Sequence, residues 1–350
     1  MEKFGSIGQF KNVIKAVRDT ANWNKEPIPT LQFIGTTKIH GTNASVIFHA
    51  DGTHDFQSRE RVLSITSDNA GFCVWGERNL EDLRRTYNNV PDFMKPKKAG
   101  EKIAIFGEWC GPGVQAGAAV SKLPHKMFVI FNITFIGNDG TPAEIDAEGN
   151  ITKQEVPATR IELAPDIIQA CVFRTGEIHA IYDFPTWIMD IDFNNPQLAQ
   201  NRLVDLTLAV EEECPVGKHF GISGVGEGIV WWNAYRNLTF KVKGEKHSVS
   251  KVRTIKEIAA VDIERMASLD AFIDTVITEN RMNQGLAKLG EMGLEIDIKN
   301  TGAYIKWVVS DAMKEEQDVI IASNFDMKDL GGKMSNKAKA FWFEKLKNVA

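Results

Sequence analysis

Three things are scarce in this sequence: proline beyond residue 215, cysteine, and long apolar runs. All 12 prolines lie at or before Pro215, so the later residues carry none of the breaks that proline imposes on a helix. The sequence has only four cysteines, and no two form a C-x-x-C pair: Cys73, Cys110, Cys171 and Cys214. This scarcity argues against a zinc site or a disulfide framework and fits a reducing compartment.

No apolar run approaches the roughly 18 residues that a membrane-spanning helix needs. The stretch 1–20 also lacks the apolar centre of a secretory signal. We therefore expect a cytoplasmic protein with no membrane partner. The net charge of −5 excludes a globally basic nucleic-acid-binding chain, so a polyanion would have to bind a local basic patch.

The 350 residues are enough for two domains, and the hydrophobic pattern changes along the chain. Short β-branched and aromatic runs between glycine-rich turns predict strands at "QFIGTT", "ASVIFH", "KIAIFGEW", "KMFVIFNITFIG", "IHAIYDF", "GIVWW" and "LTFKVKG". From about Ser250 the apolar spacing is helical, with Ser268 as a candidate N-cap and Ser335 as the candidate start of a last helix. The pattern predicts an α+β domain over residues 1–248 and a small all-helical C-terminal domain over 249–350.

The string "KIHGTN" places Lys38 at a predicted strand end beside a glycine. A solvated lysine is the simplest interpretation of that string alone. Its companions favour a site, because charged residues recur at strand ends between glycines: Arg59, Glu108, Glu227, Lys241 and Lys243. In "LTFKVKG" the two lysines alternate with apolar residues, so both point to one face of the strand.

These residue types suit a nucleophile that handles phosphate. A lysine amine with an ordinary pKa of roughly 10.4 is protonated at neutral pH and cannot attack, but neighbouring cations disfavour its charged form. The same cations neutralise a triphosphate and the charge that grows during phosphoryl transfer. Carboxylates supply the oxygen ligands that magnesium prefers.

Six motifs occur in a fixed order over residues 38–243: "KIHGTN", "SRER", "FGEWCGPG", "FVIFNI", "GEGIV" and "FKVK". The set resembles the bacteriophage RNA ligase 2 family of lysine nucleotidyltransferases, and His40 is typical of that family and of kinetoplastid editing ligases. The resemblance implies a nucleotidyltransferase (ATP-grasp-like ligase) fold of antiparallel sheets with flanking helices. It also implies that the region 249–350 engages an RNA duplex, with "GGKMSNKAKAFWFEKLK" as the candidate for backbone contact.

The resemblance assigns a role to each matching residue. Lys38 takes AMP from ATP, Arg59 touches the nucleotide, and Glu227 serves the metal and orients the lysine. Glu108 holds the ribose and Phe131, which also suits a strand core, stacks on adenine. The remaining nucleotide contacts come from Asn43, Lys241, Lys243 and the backbone around Thr37 and Ile39. Two positions depart from the family, since Asn132 and Thr37 stand where acidic residues are usual.

The implied activity is that of an ATP-dependent RNA ligase that seals 3′-OH/5′-phosphate ends, with nicks in duplex RNA as the expected substrate. It would act in RNA repair through lysyl-AMP and an RNA-adenylate, with Mg²⁺ or Mn²⁺. We expect a monomer with no obligate protein partner, in the host cytoplasm if a bacteriophage encodes it.

Three alternatives stay open. The first is an editing-type, single-strand or DNA-containing-duplex ligase. The second is a catalytically silent RNA-end binding protein that keeps the fold. The third, a capping guanylyltransferase, is disfavoured by His40 and by a helical region where capping enzymes usually carry a β-barrel.

Overall fold

A computed structural model describes residues 1–141, 144–145, 151–153, 156–233, 237–244, 269–316, 320 and 326–347. The chain divides into two compact units. Unit 1 comprises Met1–Gly5 and Ile39–Pro185, and unit 2 comprises Ser6–Lys38 and Thr186–Ala350. The chain therefore passes from unit 2 to unit 1 inside the "KIHGTN" motif.

The described residues form twelve strands, numbered in chain order: β1 (Thr30–Lys38), β2 (Thr42–His49), β3 (His54–Ser58), β4 (Lys102–Cys110), β5 (Met127–Ile136), β6 (Glu144–Ile145), β7 (Ile151–Lys153), β8 (Arg160–Glu162), β9 (Ile178–Ala180), β10 (Thr186–Asp192), β11 (Gly228–Asn233) and β12 (Leu238–Lys243). They also form ten α-helices: α1 (Phe10–Asn24), α2 (Phe72–Arg78), α3 (Leu80–Asn88), α4 (Pro165–Cys171), α5 (Gln197–Glu212), α6 (Pro215–His219), α7 (Leu269–Val276), α8 (Glu279–Glu291), α9 (Thr301–Glu315) and α10 (Met327–Lys347).

Unit 2 contains a four-stranded antiparallel sheet, the small sheet, with strand order β10-β1-β11-β12. Burial alternates along β1 because successive side chains point to opposite faces. One face carries a core with Phe33, Trp231 and Phe240, together with apolar residues of α1 and α5. The other face of the sheet carries Lys38, Lys241 and Lys243 together with apolar residues such as Ile34 and Val230.

The helices α7 to α10 of unit 2 surround their own apolar core. Trp342 is fully buried there and stacks on Tyr304, with ring centroids 4.6 Å apart. The last helix begins at Met327, not at Ser335, because Leu330 and Met334 belong to the same buried stripe as Trp342. The candidate cap Ser268 and the predicted domain boundary at 248/249 lie outside the described residues, so both stay predictions.

Unit 1 contains the large sheet, with strand order β3-β2-β4-β5-β8 and with β9 beside β5. These pairings are antiparallel except β5–β9, which is parallel. One face packs on α2, α3 and α4 around a core that includes Phe72, Leu83 and Ile168. The fold is thus α+β, with antiparallel sheets, flanking helices and a helical C-terminal region, as predicted.

All the predicted strands are found, and one of them is shorter than predicted. The structure also contains strands that the sequence did not predict. In "IHAIYDF" the strand ends at Ala180 and a 3₁₀ helix follows over Ile181–Asp183. The sequence did not predict β3, β8 and β10, nor the two short strands β6 and β7. For β10 a signal was present, because Trp187, Met189 and Ile191 alternate with exposed residues. Among the described residues, no helix has the length and apolar character needed to cross a membrane.

Candidate active site

The strand register of the small sheet brings two of the predicted lysines to one carboxylate. Lys38 ends β1 opposite Gly228, and Gly228 on its other side pairs with Lys243. Glu227, directly before this glycine, lies 2.8 Å from Lys38 Nζ through Oε2 and 2.9 Å from Lys243 Nζ through Oε1. The Glu227 side chain is only 5% exposed. Each carboxylate oxygen thus contacts one ammonium group in a partly desolvated setting, where charge-assisted hydrogen bonds are strong.

Gly228 makes this convergence possible. Its φ of 147° favours glycine, and an added Cβ would lie 2.2 Å from the Val242 carbonyl oxygen. A side chain at this position would therefore push β12 away from β11. The glycine of "GEGIV" is a geometric requirement of the lysine–glutamate arrangement.

Lys241 lies on the same face as Lys243, as the alternation in "LTFKVKG" predicted, while Phe240 is fully buried. Its ammonium lies 3.6 Å from the carboxylate of Glu315, at the end of α9. Burial, and then the charge of Lys243, lower the pKa of Lys241 to about 8. Glu315 and Asp311 act in the opposite direction.

This face of the small sheet is suited to hold an anion. Lys38, Lys241 and Lys243 gather around Glu227 and Glu315, so the five side chains leave a net positive charge. A polyphosphate complements such a cluster, because each lysine is a mobile donor with a full charge.

The position of Thr37 explains why this residue departs from the family pattern. It lies on the opposite face of β1 from Lys38 and pairs with Ile229, a residue of the small-sheet core. The residue is 2% exposed, and its hydroxyl has no hydrogen-bond partner among the described residues. A carboxylate here would be buried among apolar side chains, so only the backbone of Thr37 is open to contact with a ligand.

We expect Thr37→Val to raise the free energy of unfolding by about 0.5–2 kcal/mol, because it removes an unsatisfied buried hydroxyl and keeps the side-chain shape. Urea titrations of the two proteins measure this difference. Thr37→Asp is the matched contrast and should destabilise the fold strongly, since it buries a charge. A Thr37→Val protein that is less stable than the parent would contradict the assignment of Thr37 to the core.

Three of the unit 1 residues that the resemblance singled out, Asn43, Glu108 and Phe131, lie on one face of the large sheet, opposite α2 to α4. Asn43 of β2 pairs with Glu108 of β4. The Gly41 N–H donates to Glu108 Oε1 at 3.1 Å. A Cβ on Gly41 would lie 2.3 Å from the Trp109 carbonyl oxygen, so the glycine of "KIHGTN" allows this close approach and fixes the Glu108 carboxylate.

A β-bulge places Phe131 on this same face. Asn132 pairs with Phe106 while Ile130 pairs with Gly107, which leaves Phe131 as the extra residue. Phe131 is half-buried, and its ring meets that of Phe4 edge-on, with centroids 5.0 Å apart. Sequence reasoning missed Phe4, because no local pattern indicates that the chain start covers this sheet.

The second departure, Asn132, has a specific partner. Asn132 is 6% exposed, and its Nδ2 donates to Glu162 Oε2 of β8 at 3.2 Å. Its Oδ1 accepts a hydrogen bond from the Thr134 hydroxyl. An amide can donate to Glu162, whereas an aspartate at this position would face a second carboxylate. The negative charge at this place in the sheet therefore comes from Glu162.

We expect Asn132→Asp to lower the free energy of unfolding by about 1–3 kcal/mol at pH 8, because it replaces a donor to Glu162 with a like charge. Repulsion raises a carboxyl pKa in the folded state, so the penalty is small at low pH and grows as pH rises through that pKa. Denaturant titrations at pH 5 and pH 8 measure it, and Glu162→Gln in the same chain should restore most of the loss. Equal losses at both pH values would contradict this reading.

Arg59 and His40 are also in unit 1. Arg59 follows β3 directly and is half-buried. His40 Nε2 lies 3.1 Å from the Ala116 carbonyl oxygen, which ties the "KIHGTN" motif to the loop after β4. Ile39, between Lys38 and His40, is 5% exposed and packs inward.

The residues around Glu227 fit a magnesium ion that binds through few protein ligands. Within the described part of the chain, no group of three or more His, Cys, Asp or Glu side chains forms a metal cage. Magnesium does not require one, because it commonly binds through one or two carboxylates, waters and substrate phosphates. Glu227, beside three lysines that attract phosphate, suits that mode.

Comparison with known proteins bears on the identity of the chain. The family model of RNA ligases matches residues 31–252, which is more than half of the sequence. This chain belongs to the RNA ligase family. The match includes all six motifs, so the predicted membership in the RNA ligases is confirmed at the level of the family. Membership in the bacteriophage RNA ligase 2 branch stays a prediction.

Solved structures of the Naegleria gruberi RNA ligase also match this chain. One holds PPi and is 17% identical, covering 70% of this chain and 56% of that chain at a TM-score of 0.43. Variants of the same ligase with ATP and Mn, and with AMP and Mn, are 16% identical, at TM-scores of 0.43 and 0.42. Both matches cover 70% of this chain. They cover 57% of the chain with ATP and Mn and 56% of the chain with AMP and Mn. The chain thus spans little more than half the length of these ligases.

Proposed function

We propose that this protein is an ATP-dependent RNA ligase that works through AMP linked to Lys38. One observation carries the proposal: the Lys38 amine lies 2.8 Å from Glu227, which also contacts Lys243. An amine that is oriented by a carboxylate and flanked by two further cations has what nucleophilic attack on a polyphosphate requires.

In the first step, Lys38 Nζ attacks the α-phosphorus of ATP. A phosphorus–nitrogen bond forms, the bond to pyrophosphate breaks, and the amine gives up a proton. Glu227 Oε2 accepts a hydrogen bond from that Nζ, so it orients the lone pair and offers a path for the proton. Lys241 and Lys243 neutralise the phosphate oxygens as their charge increases.

The nucleoside is recognised, in this proposal, mainly by residues of unit 1. Glu108 binds the ribose hydroxyls, Phe131 stacks on the adenine, and Asn43, Arg59 and the backbone around Thr37 and Ile39 complete the nucleotide contacts. What supports the roles of Glu108, Asn43 and Phe131 is their shared face on the large sheet, where carboxylate, amide and aromatic ring lie on neighbouring strands. A divalent cation held by Glu227 and the phosphates would supply further charge neutralisation.

Two further displacements at phosphorus complete the reaction. AMP moves from Lys38 to the 5′-phosphate of an RNA strand, and the 3′-hydroxyl of the other end then attacks that phosphate and releases AMP. The same lysines can serve all three steps, since each places new charge on phosphate oxygens. Nicks in duplex RNA are the proposed substrate.

The region 249–350 is proposed to engage the duplex, and the structure narrows the candidate contacts on α10. Lys333 and Lys337 pair with Asp270 and Asp274 of α7, and Trp342 is fully buried. Lys339 and Lys345 instead lie over the rings of Phe343 and Phe341. These two lysines are the better candidates for contact with phosphate.

Intact-mass spectrometry after incubation with ATP and magnesium tests the chemistry. We expect a mass gain of one AMP with ATP and none with GTP, followed by sealing of a nicked RNA duplex. Labelling by GTP would instead support a capping enzyme. If well-folded protein free of prebound AMP gains no mass, the chain is a silent RNA-end binding protein. Preferential sealing of RNA/DNA duplexes or single strands would change the substrate and leave the mechanism in place.

A further inference from the structure

The end of helix α9 reaches the lysine cluster, although α9 belongs to the C-terminal helical region. Glu315 Oε1 lies 3.6 Å from Lys241 Nζ, and the carboxylate is 15% exposed. A neighbouring side chain of α9, Lys314, lies 3.4 Å from the Ser6 hydroxyl. Ser6 is close in sequence to Gly8, whose carbonyl oxygen accepts the backbone N–H of Lys241. Thus α9 contacts β12 through Glu315 and the segment before α1 through Lys314.

The second oxygen of the Glu315 carboxylate contacts an arginine. Glu315 Oε2 lies 2.8 Å from Nη2 of Arg281, a residue of α8 that is fully buried. Arg281 Nη1 donates to the Val276 carbonyl oxygen at 2.7 Å, and its Nε lies 3.1 Å from Asp311 Oδ2. Two hydrogen bonds and the ion pair with Asp311 leave this guanidinium little freedom, so the Glu315 carboxylate that it contacts is held in place.

Each lysine of the cluster contacts a carboxylate, and the carboxylate that contacts Lys241 is that of Glu315. Glu227 contacts Lys38 and Lys243, and Glu315 contacts Lys241. The charges that act on Lys241 are, among the described residues, Lys243 and Lys38, which disfavour its protonated form, and Glu315 and Asp311, which favour it. Glu315 has the larger effect of the two carboxylates.

We propose that Glu315, clamped by Arg281, is a positioning residue that holds the Lys241 ammonium in place for phosphate. The helical region then contributes to nucleotide chemistry as well as to any contact with RNA. The contact itself stands on the structure alone, whereas its use during phosphate binding rests on the proposed function.

Competitive labelling of lysines with trace acetic anhydride, read at Lys241 by peptide mass spectrometry between pH 6 and pH 11, tests the contact without any need for activity. In Glu315→Gln, which keeps an oxygen for Arg281, the labelling curve of Lys241 should move to lower pH. At pH 7 its rate relative to the plateau should rise about threefold or more, because more of the amine is neutral. Asp311→Asn should give a smaller movement in the same direction. Glu344→Gln removes an exposed carboxylate of α10 and should give none.

Unfolding would move the curve the other way, toward the ordinary lysine pKa of roughly 10.4, so a misfolded variant identifies itself. Coincident curves for the parent and Glu315→Gln would overturn the proposal. In the activity arm, the rate of AMP attachment to Glu315→Gln relative to the parent should fall from about 1 at pH 6.5 to about 0.2 at pH 8.5, as Lys241 loses its proton earlier. A parent protein that never gains AMP would refute the proposed function, and the labelling result would still decide the role of Glu315.

Discussion

Lys38→Ala should abolish AMP attachment and leave the fold intact. Lys38 is the last residue of β1, and its side chain is 21% exposed, so its loss removes no core packing. Glu227 keeps its contact with Lys243, so losing the contact with Lys38 should cost about 1–3 kcal/mol of stability, which the fold tolerates. Its loss does remove the nucleophile, for which no neighbour substitutes, because Lys241 and Lys243 lie on another strand. Intact-mass spectrometry with ATP and magnesium measures the attachment, and thermal unfolding measures the fold.

The matched control is Lys15→Ala, which removes an exposed lysine from α1. This variant should gain AMP at the parent rate. Sealing of nicked RNA by Lys38→Ala with ATP as the only cofactor would refute the lysyl-AMP mechanism. Sealing of an RNA strand that already carries 5′-linked AMP is a separate measurement, because that strand enters after the first step.

Glu227→Ala should damage both stability and chemistry. The two ammonium groups that contact this carboxylate have side chains that are only 21% and 13% exposed. Loss of the carboxylate leaves like charges facing each other in a partly desolvated place, and we expect a loss of about 2–4 kcal/mol in the free energy of unfolding. The rate of AMP attachment should fall by about 10²–10³, because the amine loses its orienting partner.

Glu227→Gln separates the two effects. A glutamine keeps the size and one acceptor oxygen, so it should recover part of the stability while the rate stays low. Glu212→Ala, which removes an exposed carboxylate of α5, should change neither quantity. Denaturant titration and single-turnover measurement of AMP attachment provide the two readouts. A Glu227→Ala protein with the parent rate would remove Glu227 from the proposed mechanism.

The sequence alone located the lysine cluster because its members lie at ends of strongly patterned strands. Period-two alternation in "LTFKVKG" placed Lys241 and Lys243 on one face, and the paired strands confirm it. The order of the six motifs predicted the RNA ligase family, which the family match confirms. The helical region beyond Ser250 was recognisable from its apolar spacing, although its last helix begins eight residues earlier than Ser335 indicated.

Other site features depend on contacts between residues far apart in the chain. Glu162 replaces the missing acid beside Asn132 only because β8 runs antiparallel to β5. Phe4 lies against Phe131 only because the chain start folds onto the large sheet. Neither residue belongs to a local motif, so no spacing in the sequence points to it.

The sequence by itself determined the strand faces, the helical region and the residue types that make a phosphate-handling nucleophile, because these depend on local periodicity and side-chain chemistry. The resemblance already assigned Glu227 to the lysine nucleophile, but only the tertiary structure decided that Glu227 also contacts Lys243 and that Glu315 serves Lys241. Glu227 meets Lys38 and Lys243 through the register of three strands, and Glu315 meets Lys241 through the packing of α9. These partners are 74 residues apart for Lys241 and Glu315 and 189 residues apart for Lys38 and Glu227. The burial of whole apolar faces sets how their strands and helices pack, and the packing then determines which charged side chains meet.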